Sequence, residues 1–421
     1  MRVLMINPGH DGTHHQHKSH RAVHRDPMPL GCLYAGSTFK EQGHEVHILD
    51  THITRDWRTA IYDNLILHRP DYVGISVIIG QPMANAREIQ DFIKSIDPTV
   101  TVTWGGVMPT VMPEEIRGVY HPDRVHAGGF QPQHVDYSLL KKHLNPQQTP
   151  YYSMVMTSVG CPFNCSFCYK HSVSSVCVLK SVAEVKREMH QLYHLTQSPV
   201  FTFGDDNALI NKNRALEILN YVRENGWYIE ELIAHISNVD DDLIEAMSGV
   251  VSTFICSIET VNKRLQRILN KRVHTDRALE KIAKLEQAGI VSTVSFMEGL
   301  PGETEGDRDA NQEYMERLRR AAPLVRGNCY LWFPLPGTKL TEYAEKHYDV
   351  DLHFSAKEYE ESSFWCKDPE DPTGVRFRPY MSMREYQMFY VRATLFNIEF
   401  KRAKRVYKLA EILDNNDTVS I

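Results

Sequence analysis

The stretch Cys161-Pro162-Phe163-Asn164-Cys165-Ser166-Phe167-Cys168 constrains this chain more than any other. Its spacing is C-x3-C-x2-C, directly after a short apolar run from Tyr152 to Thr157. Three thiolates on one loop can hold three irons of a [4Fe-4S] cube, which takes four ligands when fully bound by protein. One iron is then left open to a small molecule. The competing readings are a zinc loop and a set of structural thiols. Zinc sites usually pair two such Cys or His elements, and no second pair stands nearby.

The other cysteines, Cys32, Cys177, Cys256, Cys329 and Cys366, are scattered singly. That is reduced-thiol usage, so a cytoplasmic location is expected. The 421 residues carry a formal charge of −6, which disfavours a general nucleic-acid or anionic-membrane surface. No apolar run approaches the roughly 20 residues of a membrane span. Met1 to Asn7 reads as the start of a buried strand rather than a signal peptide. A chain of this length predicts two or three domains, here placed at 1–140, 148–345 and 346–421.

In the first of these, short apolar runs at Val3–Ile6, Val46–Leu49, Tyr72–Ser76 and Val100–Trp104 alternate with helical patterns at Leu33–Gln42 and Ala84–Ile96. Such alternation predicts an α/β fold with a doubly wound parallel sheet of the flavodoxin or Rossmann kind. Ligands bind such sheets beyond the carboxyl ends of the strands, here Asn7-Pro8-Gly9, Asp50-Thr51, Ser76-Val77 and Gly105-Gly106.

After Cys168 the pattern is regular. Strands are expected at Val200–Phe203, Leu232–His235, Phe254–Ser257, Val291–Phe296 and Tyr330–Phe333, each preceded by a helix. With Tyr152–Thr157 they predict a partial (β/α)6 barrel, open on one side. Active groups in such barrels sit at the carboxyl ends of the strands. Those ends carry Gly204-Asp205-Asp206, Ser257-Ile258-Glu259-Thr260, Ser295 to Thr304, and Pro334 to Thr338.

The cysteine loop with aromatic Phe167 before its last Cys, followed by these strand-end motifs in order, resembles the radical S-adenosylmethionine (SAM) enzymes. The resemblance implies that the open iron chelates SAM and that reduction releases a 5′-deoxyadenosyl radical. It places Phe167, Gly204, Asp205, Asp206, Ser257, Glu259, Ser295 and Gly299 around SAM, and Cys161, Cys165 and Cys168 on the cluster. The N-terminal segment is similar to the cobalamin-binding domain of one branch of that family, through Pro29 to Tyr34, Gly43 to Val46, Ile75-Ser76 and Gly105 to Thr110. There Ser76, Gly105 and Gly106 would lie against the corrin and its tail, because glycine permits close backbone approach. Two departures are visible: Asp123 to Phe130 stands where the family has a Gly-Glu-Gly-Glu turn, and the connection from there to the cysteine loop is shorter than the resemblance implies.

The resemblance implies a cobalamin-dependent methyltransferase acting on an unactivated carbon of a small-molecule substrate. One SAM supplies the methyl group and a second the radical. A radical dehydratase, epimerase, oxidoreductase or rearrangement enzyme with a vestigial cobalamin domain is the alternative, and a non-catalytic cobalamin or redox sensor is a third reading. A flavodoxin or ferredoxin is the implied electron donor. His14, His15 and His17, on a His-rich loop after the first strand, are candidates for substrate contact or proton transfer. Arg384 to about Leu413 reads as a long amphipathic helix, a cap or a substrate-selecting lid.

Overall fold

The computed structural model describes residues 1–9, 28–54, 56–142, 144, 153–173, 176–348 and 350–361, with a few positions between 384 and 393. His14, His15, His17 and most of the stretch from Arg384 to Leu413 lie outside the described residues. The chain divides into two compact units. One comprises Met1–Pro162, Tyr169–Gly204 and His353–Trp365, the other Phe163–Cys168, Asp205–Leu352 and Cys366–Ile421.

The chain begins β1 (Arg2–Asn7), α1 (Leu30–Glu41), β2 (Glu45–Asp50), α2 (Trp57–His68), β3 (Tyr72–Ser76), α3 (Gln81–Ile96), β4 (Thr101–Gly105), α4 (Val107–Val111), α5 (Pro113–Tyr120) and β5 (Arg124–Val125). The five strands form one parallel sheet in the order β2-β1-β3-β4-β5. This is the flavodoxin-like order, whose switch point lies between β1 and β3. Val3, Leu4, Ile6, Val73, Ile75, Val102 and Trp104 are fully or almost fully buried. Strands covered on both faces read as continuous apolar runs, which is why the sequence announced them. Helix α2 did not announce itself, because its run is interrupted by polar residues. Its start is set by Asp56, whose carboxylate accepts from the Thr59 N–H at 3.1 Å.

Next come β6 (Met154–Val155), β7 (Ser158–Val159), α6 (Lys170–Val173), β8 (Val178–Leu179), α7 (Val182–Thr196) and β9 (Val200–Phe203). Strands β7 and β8 pair as an antiparallel hairpin. The remainder is α8 (Lys212–Glu224), β10 (Tyr228–Ile233), α9 (Asp241–Met247), β11 (Val251–Glu259), α10 (Lys263–Ile268), α11 (Thr275–Gln287), β12 (Val291–Glu298), α12 (Glu305–Ala321), β13 (Arg326–Leu331), α13 (Lys339–Tyr348) and α14 (Ala356–Glu361). A six-stranded sheet runs β13-β12-β11-β10-β9-β6. Two strands sit earlier than the apolar pattern suggested. β10 ends at Ile233, not His235, and β13 ends at Leu331, with Trp332 and Phe333 buried beyond it. Phe254, Phe296, Ile282, Leu285, Met315 and Leu318 are fully buried. Each such side chain stabilises the fold by roughly 1.5–3 kcal/mol. Helices α7, α8, α9 and α10 start at Ser181, Asn211, Asp240 and Asn262, each side chain accepting a backbone N–H of the first turn. α12 begins with a capping box between Thr304 and Asp307. No described helix is long and apolar enough to cross a membrane.

Candidate active site

In the second unit, the Phe163–Cys168 part of the cysteine loop is held by hydrogen bonds from neighbouring elements. The Ser166 N–H donates to the Leu269 carbonyl at 2.9 Å and its hydroxyl to the Ile268 carbonyl at 2.8 Å. Leu340 N–H donates to the Ser166 carbonyl at 2.8 Å, and Asn270 Nδ2 to the Asn164 carbonyl at 2.6 Å. Cys168 N–H closes a turn onto the Cys165 carbonyl at 3.1 Å. Cys161, Cys165 and Cys168 are half-buried thiols rather than disulfides. This donor set suits an iron–sulfur cluster, since thiolate is the ligand such clusters use.

The strand ends lie around a second group of residues. Ser257 on β11 is in register with Ser295 on β12, and Ser295 with Asn328 on β13. Beyond Ser257 the register breaks, and Glu259 adopts a left-handed conformation with φ 63°. A non-glycine residue pays of order 1–3 kcal/mol for this. Glu259 is buried, and its carboxylate meets the buried Lys271 ammonium at 2.8 Å. The same ammonium lies 5.8 Å from the centre of the Phe167 ring. Lys271 therefore fastens the cysteine loop to the end of β11. No sequence pattern pointed to it, because it stands on an irregular connection. Asp205 and Asp206 follow β9 as expected, Asp205 buried and Asp206 half-buried.

His235 follows β10, its ring 4.6 Å from that of Phe163. Burial, with Lys271 and Lys281 nearby, pushes its imidazole down to about 4. It is neutral at physiological pH. Its place just past a barrel strand is the signal that could have found it. On the adjoining loop, Gly299 has φ 70° and donates its N–H to Glu303 Oε2 at 2.7 Å. Burial, with the Glu298 carboxylate, pushes Glu303 up to about 8. Arg308 reaches Glu303 at 3.5 Å and Glu385 at 3.2 Å.

In the first unit, a cavity of about 420 Å³ opens at the carboxyl ends of β3 and β4. Ser76, Gly105 and Gly106 line it together. Gly204, expected on the SAM side, lines it as well. Gly128, Gly129 and Phe130 form part of the wall, so the departing turn still contributes to it. His126 is also in the wall, stacked on Phe130 at 4.3 Å, and burial lowers its imidazole below the usual range. The backbone approaches closely here. A Cβ on Gly31 would lie 2.6 Å from Ser76 Oγ, and one on Gly106 would lie 2.7 Å from the Val77 carbonyl. Such a glycine-built cradle fits a flat macrocycle or its tail.

Gly106 has φ 102° and ψ −161°, a region essentially reserved for glycine. Gly106→Ala is therefore expected to lower unfolding stability by about 2–3 kcal/mol. A denaturant titration measures this, and a loss below about 0.5 kcal/mol would contradict the crowding described.

Comparison with known proteins gives this arrangement its family. Residues 155–315 match the radical SAM superfamily, and residues 21–127 match the B12 binding domain. The chain carries a radical SAM domain behind a B12 binding domain. Its cofactors follow from the two domains: a [4Fe-4S] cluster and SAM from the first, cobalamin from the second. An uncharacterized methyltransferase of Pyrococcus horikoshii is 24% identical over 397 residues, covering 82% of this chain and 83% of that protein. The ribosomal protein uS12 methylthiotransferase RimO of Alteromonas mediterranea is 23% identical over 240 residues. That match covers 52% of this chain and 49% of RimO. Among solved structures, the radical SAM methyltransferase TsrM from Kitasatospora setae aligns with a TM-score of 0.64 at 16% identity, over 82% of this chain and 76% of its own. The cobalamin-dependent SAM radical enzyme OxsB aligns with a TM-score of 0.67 at 13% identity, over 98% and 70%. At these identities the structures show that this radical SAM protein shares their fold.

Proposed function

We propose that this radical SAM enzyme is a cobalamin-dependent methyltransferase acting on a carbon of a small-molecule substrate. One observation carries the reading: the glycine-lined cavity of the B12 binding domain is intact, although the turn at Gly128–Phe130 departs from the family pattern. A vestigial domain would have no reason to keep three glycines, Gly31, Gly105 and Gly106, lining this cavity. The methyltransferase name of the Pyrococcus relative supports the same reading.

Cys161, Cys165 and Cys168 would hold the cluster, with Phe167 and Lys271 fixing the loop. Asp205 and Asp206 would pair with the SAM ammonium. Ser257, Ser295, Glu259 and Gly299 would face the rest of SAM, Glu259 as a neutralised pair with Lys271 rather than a lone carboxylate. Ser76, Gly105, Gly106 and Gly204 would admit the tail of cobalamin, since a cavity of about 420 Å³ takes a nucleotide-sized portion of it. When bound, the cluster and SAM supply a hydrogen-abstracting radical, and cobalamin a transferable methyl group. The protein's part is position and exclusion of water. His235, neutral and half-buried beside Phe163, can offer a ring nitrogen as a hydrogen-bond partner on that face without carrying charge.

Anaerobic reconstitution with iron, sulfide and hydroxocobalamin, followed by desalting, tests this. About one corrin per chain is expected to remain by visible spectrum, with S-adenosylhomocysteine formed beside 5′-deoxyadenosine under reducing conditions. A corrin that washes out, with 5′-deoxyadenosine as the sole SAM product, would favour radical chemistry without methyl transfer.

A further inference from the structure

We infer that the exposed face of α10, with the turn that follows it, is the docking surface for an acidic one-electron carrier protein. The inference rests on the radical SAM reading, because a cluster that spends one electron per cleavage must be reloaded from outside.

The first observation is charge. From Asn262 to Thr275 the chain holds five Lys or Arg and no Asp or Glu, although the whole chain has 47 basic and 53 acidic residues. Lys263, Arg267 and Arg272 are exposed. They and His274 rim a surface hollow of about 460 Å³. Lys271 is buried against Glu259 and takes no part in the face, and the two carboxylates beside it, Asp307 and, on the hollow's rim, Asp276, are both engaged. Asp307 pairs with Arg264 at 2.9 Å and Asp276 with Arg317 at 3.0 Å. The basic groups thus dominate the face.

The second observation is position. The end of α10 directly holds the cysteine loop through the bonds from Ser166 to Leu269 and Ile268, and from Asn270 to Asn164. Exposed Lys339 also reaches this loop, at Asn164 Oδ1, 3.3 Å away. Cys165 lies between Asn164 and Ser166, so the element that bears the cations is bonded directly to the segment that carries a cluster ligand. A carrier bound here approaches the cluster through a few residues of backbone. A small anion would be gripped by buried donors, whereas Lys263, Arg267 and Arg272 are exposed along a helix face and the turn after it, a geometry suited to a complementary protein face. Such charge patterns steer encounter and raise association rates.

The test uses the reconstituted full-length protein and a reduced flavodoxin, with dithionite as the small-molecule control. The variant Lys263→Glu/Arg267→Glu/Arg272→Glu is expected to slow flavodoxin-driven cluster bleaching by about tenfold or more at low salt. The difference should shrink at high ionic strength, where exposed charges are screened. Iron content and the yield of 5′-deoxyadenosine with dithionite should match the parent. Equal flavodoxin rates, or a salt-independent loss, would overturn the proposal. So would inhibition by millimolar inorganic phosphate without any effect of the charge changes on flavodoxin, which would make the hollow a small-anion site. If the Glu variant loses its cluster, Lys263→Gln/Arg267→Gln/Arg272→Gln answers the same question with a smaller expected slowing, and an unchanged rate there is equally fatal. A parent protein that cleaves no SAM with dithionite would instead remove the radical SAM reading, a result distinct from failed docking.

Discussion

Cys165→Ala is expected to drop the iron content of reconstituted protein from about four per chain to below one, and to abolish 5′-deoxyadenosine formation. The reason is the number of ligands. A cluster that already leaves one iron to SAM has no spare protein donor. The fold itself should tolerate the change. Cys165 is half-buried, and the loop is held by backbone bonds at Ser166 and Asn164 that the substitution does not touch. Unfolding of the iron-free protein should therefore shift by no more than about 0.5 kcal/mol. Cys256→Ala is the matching control. That thiol is buried in β11, and burial pushes it up to about 12, so it has no tendency to become a thiolate ligand. It should keep all its iron and lose about 1–2 kcal/mol of stability from the small cavity left behind. Iron analysis and a denaturant titration on the two variants decide the matter. Four irons surviving in Cys165→Ala would end the account of this loop.

Lys180→Met carries the largest expected loss of stability. Lys180 and Glu188 form an ion pair at 2.6 Å with side-chain exposures of 8% and 0%. The same ammonium donates to the Tyr34 hydroxyl at 2.9 Å, and the Tyr137 hydroxyl donates to Glu188 at 3.3 Å. Removing the ammonium strands a carboxylate with no water to take its place, at a cost of about 3–5 kcal/mol. Burial already raises the Glu188 carboxyl above its ordinary value despite Lys180, so the stranded group should take up a proton, which keeps the cost from growing further. The double variant Lys180→Met/Glu188→Leu should recover most of the loss, because an apolar pair of similar size replaces the ions. Tyr34 lines the B12-side cavity, so corrin retention should fall in the single variant and return in part in the double one. A single-variant loss under about 1 kcal/mol would show that the pair is not sealed from solvent.

The sequence disclosed the elements that obey one local rule. Apolar runs marked β1, β3, β4, β9 and β12, and the three closely spaced cysteines marked their loop. The glycines and serines at strand ends were legible because barrels and doubly wound sheets place ligands there. What stayed hidden depends on tertiary contact. Lys271 sits in a run that reads as a solvated basic stretch, yet it is buried between Phe167 and Glu259. The start of β10 was obscured by Glu230 and Glu231, and that of β13 by Arg326-Gly327-Asn328, polar residues that interrupt the strand signal. Helix α10 spans only Lys263–Ile268, too short for periodicity to show. Gly204 and Asp205 are neighbours in sequence, but their surroundings differ, and only the packed structure could separate them.

Arg308 has a consequence for anyone who would exchange the C-terminal segment between relatives. Its guanidinium holds Glu303, beside Gly299, and Glu385, from the far end of the chain. A transplanted tail without an acid at that place would free the arginine to lean wholly on Glu303, a carboxyl otherwise poised to be protonated near neutrality. The terminal segment is thus wired into the ionisation of the loop between β12 and α12, and chimeras that treat it as an interchangeable accessory would also retune the acid held there.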